Sequence, residues 1–128
     1  MEKMNVKPAT GKLGVLCVGL GAVTSTFMTG VLMARKGLAK PVGSMTQYDK
    51  MRVGRGENKK YLHYGEIVPL ATLDDIVFGA WDVYPANAYE SAVNAEVLQE
   101  KDILPVKEEL EKVNQCSVSH IKAEEARR

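Results

Sequence analysis

Cysteine and histidine are scarce, with two of each in 128 residues. No Cys-x-x-Cys pair occurs, and neither His63 nor His120 has a neighbouring Cys, Asp or Glu pattern that would make a ligand set. The expectation is no metal centre and no disulfide. Cys17 lies within an apolar run, where a small hydrophobe fits, and Cys116 lies in a polar tail. No Ser/His/Asp or Cys/His arrangement can be defended, so no catalytic residue is assigned. Charge of one sign is also lacking: 17 Lys and Arg face 16 Asp and Glu, which argues against a dedicated nucleic-acid binder. The longest apolar stretch is interrupted by Thr, Ser and Gly and is too short to span a bilayer. The first residues, Met-Glu-Lys-Met-Asn-Val-Lys-Pro, lack the apolar centre of a signal peptide. A cytoplasmic protein without membrane or nucleic-acid partners is expected.

The near-neutral total hides an asymmetry. Residues 1–64 hold 11 Lys/Arg against 3 Asp/Glu, which is +8, and residues 65–128 hold 6 against 13, which is −7. Such halves bind anions or pair with each other. The length gives room for one domain, enough for a core but short for a complete two-domain enzyme.

What the chain does have is an apolar run, Leu13 to Val18, ending in Gly19-Leu-Gly21, with a helical pattern immediately after. The run reads as a parallel strand buried on both faces. A helix from Val23 to Lys36 follows, with Phe27, Val31 and Ala34 on one stripe widened by Met28 and Leu32, and Gly37 as its stop. Gly19 lets the chain turn sharply, and Gly21 lets a pyrophosphate approach bare backbone. The unpaired N–H groups and dipole of the new helix favour the anion. Apolar strand, glycine turn and helix together are the start of a dinucleotide-binding domain. Thr24 stands where the third glycine would be, so the strict pattern fails, and a plain strand–helix turn is the other reading. Thr24 and Ser25 offer hydroxyls either to phosphate or to the helix as caps.

Residues 38–64 show no clear period and read as an insertion with a basic cluster, Lys50, Arg52, Arg55, Lys59 and Lys60. That cluster either steers an anionic ligand or partner or is a solvated loop. Tyr64 to Leu70 reads as a short edge strand. Asp75 to Asp82 reads as a second buried strand with an acid at its end. A carboxylate there takes ribose hydroxyls, or else caps the next turn. Trp81 either packs on the sheet or flanks an adenine. A helix entered at Pro85 and Asn87 should continue to about Lys101, with Ala88, Ala92 and Ala95 on one face. A short amphipathic helix, Pro105 to Asn114, groups Val106, Leu110 and Val113. The fold class is α/β, a partial Rossmann-like parallel sheet with flanking helices. Residues 1–11 form a polar arm, 12–114 the nucleotide-binding domain with its insertion at 38–64, and 115–128 a polar tail.

Three separated motifs in one order carry a more specific signal. They are Val18-Gly-Leu-Gly-Ala-Val-Thr-Ser-Thr-Phe27, Pro41-Val-Gly-Ser-Met-Thr-Gln47 and Asp75-Ile-Val-Phe-Gly-Ala-Trp-Asp-Val-Tyr-Pro-Ala-Asn-Ala-Tyr-Glu-Ser-Ala92. From residue 7 to about 113 the chain resembles the inositol-3-phosphate synthase family, its bacterial members above all. The resemblance implies NAD as cofactor. It also implies an isomerisation of glucose 6-phosphate to 1D-myo-inositol 3-phosphate, a step of inositol and phospholipid biosynthesis. Bound NAD oxidises the sugar, an enolate closes the ring, and the same cofactor returns the hydride. Carried over by motif, Gly19, Gly21, Ala22, Val23 and Thr24 line the pyrophosphate, and Asp82 holds the adenosine ribose. Eukaryotic relatives have Gly-Asn-Asn-Gly in the turn. Here Gly-Ala-Val-Thr leaves the work to backbone contacts.

The family's catalytic lysines and sugar-phosphate pocket belong to a later domain, and from about Asn114 onward no family continuation is expected. The chain alone is therefore expected to be inactive, with a sugar phosphate as partner only when that domain is supplied. Asp82 favours NAD over NADP because its charge repels a 2′-phosphate. A sheet of two strands would expose an edge, so self-association is a further expectation. The reading from a different class is a non-catalytic nucleotide-binding or interaction module. A third, an ordinary nicotinamide oxidoreductase fragment, is disfavoured by the Gly-Ser-Met-Thr-Gln and Phe-Gly-Ala-Trp-Asp motifs.

Overall fold

The computed structural model describes residue 7 and residues 10–113. Most of the polar arm and all of the polar tail, including Cys116 and His120, lie outside the described residues.

The first strand, β1 (Leu13–Val18), is a run with little reason to turn until Gly19, and α1 (Ala22–Arg35) begins three residues later. The helix closes at Gly37 as its sequence predicts. The Gly37 N–H reaches the Ala34 carbonyl and the Leu38 N–H reaches the Met33 carbonyl, so two orphan acceptors are satisfied. The second sheet strand, β4 (Ile76–Trp81), lies parallel to β1 with Leu13 opposite Ile76 and Val18 opposite Trp81. A parallel pair needs a crossover, and α1 with everything up to residue 75 provides it.

The 38–64 segment is more ordered than its missing period suggested. It holds a short helix, α2 (Met45–Tyr48), and an antiparallel hairpin of β2 (Lys50–Val53) and β3 (Lys60–His63). Gly54 closes the hairpin with φ 88°, and a Cβ there would sit 2.4 Å from the Asn58 carbonyl oxygen. The edge strand expected over Tyr64 to Leu70 is not formed. Tyr64–Ile67 is instead a helical turn, α3, started by Glu66, whose carboxylate accepts from the His63 N–H at 2.6 Å.

The long helix expected up to Lys101 is also divided. Asn87 caps α4 (Ala88–Asn94) and accepts from the Glu90 N–H, while the Glu90 carboxylate accepts from the Asn87 N–H. The helix then stops, because Glu96 turns left-handed at φ 52°. A separate turn, α5 (Glu100–Ile103), leads into α6 (Lys107–Lys112). The helix expected over Pro105–Asn114 is a 3-10 turn, Leu104–Val106, followed by α6, with Asn114 outside the described residues. Its apolar face is as expected, with Val106 and Leu110 fully buried and Val113 packed against the core.

The core lies on one side of the sheet. Met28 and Leu32 of α1 meet Ala80 of the sheet, Ala88 and Ala92 of α4, and Ile103, Val106 and Leu110 below. The small alanines let α4 approach α1 closely. Cys17 packs at the margin of this core, as a small hydrophobe would. The helix stripe is rotated from the expected one. Ser25 and Thr29 are buried with Met28, Val31 and Leu32, and Phe27 is half exposed, its ring edge-on to Phe78 at 5.6 Å.

Among the described residues nothing covers the other sheet face. Leu16, Val18, Val77 and Trp81 alternate onto it, with Val18 84% and Leu16 56% exposed. The strands are therefore not buried on both faces, because among the described residues the helices that pack on the sheet share a single side. Trp81, 42% exposed, does not sit in a core.

Two cations lock the crossover. Arg35 donates from Nε to the Leu73 carbonyl at 2.6 Å and from its terminal nitrogen to the Ile76 carbonyl, while its guanidinium lies over the Phe78 ring. Lys36 reaches Glu109 at 2.7 Å and the Pro105 carbonyl at 2.6 Å, tying the end of α1 to α6. Cations at a helix C-terminus suit its dipole, and here both also take tertiary partners.

Candidate dinucleotide site

The chain turns at the carboxyl end of β1, where open α/β sheets place their ligands. Gly19 has φ +89°, a conformation an L side chain rarely adopts, and its N–H extends the sheet by donating to the Trp81 carbonyl at 2.6 Å. Leu20 then drops into the core at 3% exposure. The buried Leu20 side chain and the left-handed Gly19 together hold Gly21 outward at the head of α1.

Gly21 is the helix N-cap, with φ −94° and ψ −158°, and no side chain caps it. The first helical bond runs from the Ser25 N–H to the Gly21 carbonyl at 3.0 Å. The N–H groups of Gly21, Ala22, Val23 and Thr24 consequently have no acceptor among the described residues, and the first turn carries no acidic side chain. Four adjacent donors and the positive end of a 14-residue helix favour an anion at this point. A Cβ built on Gly21 would meet nothing within 4 Å, so among the described residues none beyond its chain neighbours crowds that position.

Asp82, the residue after β4, faces the turn. Its Oδ2 accepts from the Leu20 N–H at 2.6 Å, and its Oδ1 accepts from Val83 and Tyr84 N–H at 2.7 and 3.1 Å. These donors, led by the Leu20 N–H, hold its carboxyl below the usual carboxylate range. An ionised carboxylate offers about four acceptor positions, and three are used, so one is left for a hydroxyl. Asp82 is thus a clamp between the glycine turn and its own Asx turn, and a group that can still accept. Asp82-Val-Tyr-Pro85 is an Asx-turn signature legible in the sequence. The contact to Leu20, 62 positions away, is not.

The hydroxyls divide. Thr24 is half-buried near the open N–H groups. Ser25 is fully buried, its Oγ 3.3 Å from the Ala22 carbonyl, so it faces the core rather than an anion. Exposed apolar side chains surround the turn: Val18, Val23 at 85%, Val83 at 79% and Tyr84 at 73%. Tyr84, beside Asp82, was not singled out in the sequence. An exposed aromatic two residues past a strand-end acid is the signal that marks it.

A cavity of about 680 Å³ lies elsewhere. It lies behind α1, between Phe27, Gly30 and Ala34 and the Pro41–Gln47 segment, and none of Gly19 to Thr24 lines it. There the Gly-Ser-Met-Thr-Gln motif has a structural part, since Gln47 donates to the Ala71 carbonyl at 3.4 Å. The basic cluster is on the hairpin and is not brought to the glycine turn by any hydrogen bond or ion pair among the described residues. No helix of the described residues is long and apolar enough to cross a membrane.

Comparison with known proteins agrees with this geometry. The family model described as myo-inositol-1-phosphate synthase, a family NAD-binding domain, matches residues 13–126. That match continues 12 residues past Asn114, which corrects the expectation that the family pattern ends there. Inositol-3-phosphate synthase 1 of Bacteroides thetaiotaomicron is 55% identical over 112 residues, covering 87% of this chain and 25% of the relative. An inositol-3-phosphate synthase isozyme of Arabidopsis thaliana is 32% identical over 114 residues, 77% of this chain and 22% of the relative. The crystal structure of inositol-3-phosphate synthase from Caenorhabditis elegans superposes with a TM-score of 0.72 over 85% of this chain and 24% of that one. At 24% identity this last likeness speaks for the fold, a Rossmann-like α/β domain. The chain spans about a quarter of the length of the curated relatives it matches, and lies in their amino-terminal, NAD-binding portion. With a family match across nearly all of the described residues, the chain belongs to the inositol-3-phosphate synthase family.

Proposed function

We propose that this chain binds NAD at the glycine turn and supplies the dinucleotide-binding part of an inositol-3-phosphate synthase. The observation that carries the proposal is the row of four unpartnered N–H groups, Gly21 to Thr24, at an uncapped helix start with open space in front. In this reading Gly19 shapes the turn, and Gly21, Ala22, Val23 and Thr24 receive the pyrophosphate. Asp82 accepts an adenosine ribose hydroxyl while its other lone pairs keep the turn in place. The NAD preference rests on the Asp82 charge, which repels a 2′-phosphate.

When bound, NAD would supply reversible hydride transfer. The residues described here bind and orient it, and none is assigned a part in moving a proton on the sugar. We therefore assign no conversion of glucose 6-phosphate to this chain by itself, and a sugar phosphate becomes a ligand only together with the rest of a synthase. The cytoplasm is the compartment this reading assigns.

Calorimetric titration of NAD into the purified chain tests the proposal. Saturable binding, weaker for NADP, is expected. A cooperatively folded chain that takes up no NAD would overturn it and leave the interaction-module reading in its place.

A further inference from the structure

Five of the eleven basic residues of the first half of the chain sit on one surface. The hairpin carries Lys50, Arg52, Arg55, Lys59 and Lys60, all exposed. Three ion pairs occur among the described residues, Lys12–Asp75, Lys36–Glu109 and Lys107–Glu111, and none uses a hairpin cation. Cross-strand register pairs Met51 with Leu62 and Val53 with Lys60, so these four share one face. Met51 and Val53 stay 37% and 41% exposed on it. The distal half of the hairpin is an apolar strip edged by Arg55, Lys59 and Lys60.

The opposite chemistry lies between α4 and α5. A cleft of about 350 Å³ has Tyr89, Val93, Leu98 and Leu104 among its walls, and Glu96 and Glu100 at its edge. Neither carboxylate takes part in an ion pair among the described residues. The aromatic wall already receives one ammonium, with Lys107 Nζ 4.8 Å from the Tyr89 ring centroid. The hairpin packs mainly on α2 and α3, whereas α4 packs on α1 and α6, and α5 on α1 and α4.

We propose that the hairpin tip of one molecule docks into the acidic-edged cleft of a second copy of this chain. Met51 and Val53 meet the apolar walls, and Arg55, Lys59 and Lys60 meet Glu96 and Glu100. The two surfaces differ, so the contact is heterologous and propagates head to tail. A single hairpin in a single cleft buries less than the about 1,200 Å² of a standard stable interface. The association is therefore weak, steered by charge and screened by salt. It is independent of NAD binding. Contact through the uncovered sheet face would be apolar and would not weaken with salt, so the two modes are separable.

Sedimentation velocity of the full chain at ~100 μM, in about 50 mM and about 500 mM NaCl, tests this. Concentration-dependent association is expected at low salt, weakened at least roughly tenfold at high salt. Arg55→Glu/Lys60→Glu and Glu96→Lys/Glu100→Lys should each abolish it, and an equimolar mixture of the two should restore it. Arg55→Gln/Lys60→Gln, with circular dichroism, guards against a fold defect in the reversed hairpin. A chain that is monomeric at low salt, or association that survives both reversals, or a mixture that stays monomeric, would overturn the proposal.

Discussion

Replacing Gly21 by valine separates binding from folding. The residue sits at φ −94° and ψ −158°, extended backbone in which a β-branched side chain is comfortable. A new Cβ meets nothing within 4 Å. The folding cost is thus confined to the weaker N-cap preference of valine, about 0.5–1 kcal/mol. For a domain of this size that lowers Tm by roughly 2–8 °C. The ligand side is far less tolerant. The isopropyl group occupies the space in which a phosphate oxygen must come within ~3 Å of the N–H groups. Hydrogen bonds to a charged group contribute about 1.5–3 kcal/mol each. Losing one of them raises Kd roughly 10-fold to 150-fold. Calorimetry with NAD, beside thermal melts of both proteins, reads the two effects separately. A valine variant that binds NAD within about twofold of the parent would refute the placement of the pyrophosphate on Gly21. So would a melt that collapses, because the open space at Gly21 would then not be open.

Leu110 is fully buried in the α6 contact with the core, so Leu110→Ala should cost about 2–5 kcal/mol, read by urea unfolding. An unchanged midpoint would show that α6 is not part of the cooperative unit. Glu96 ends α4 at φ 52°, where glycine is at ease, so Glu96→Gly should stabilise by about 0.5–1 kcal/mol, measured in dilute protein. Destabilisation would point to a contact of the Glu96 side chain that outweighs its backbone. Asp75, Asp82 and Glu109 all titrate below their ordinary values in the fold, through hydrogen bonds led by Thr72, Leu20 N–H and Lys36. A folded-state pKa below the unfolded one gives stability that is present above the unfolded value, near 4, and is lost as pH falls through the folded one. Melting temperature should therefore be flat from about pH 5 to 7 and drop below about pH 4. In Asp82→Asn the drop should be smaller, since that carboxylate no longer titrates. An identical acid limb would contradict the clamp.

Much of the site was readable from Leu13 to Gly37. A glycine that must take positive φ, an apolar strand before it and an amphipathic pattern after it each act over a few residues, so sequence spacing is enough to find them. The same holds for Asn87 with Glu90, whose reciprocal cap closes within one turn, and for the Val106–Leu110 face. The failures share one cause. Tyr64–Ile67 turned helical and α4 stopped at Asn94 because local caps and one left-handed residue, Glu96, overrode a weak apolar period. The 38–64 segment shows little period because its strands are only four residues each, too short for alternation to stand out.

The parallel pair, the glycine turn and the family follow from residue order, because backbone sterics and a recurring apolar pattern are local properties. Which side of the sheet is covered, that Arg35 and Lys36 tie α1 to distant segments, and that Asp82 grips the Leu20 N–H from 62 residues away follow from the folded arrangement alone. Those depend on which surfaces the chain brings together, and loop closure over such distances leaves no mark in neighbouring residues.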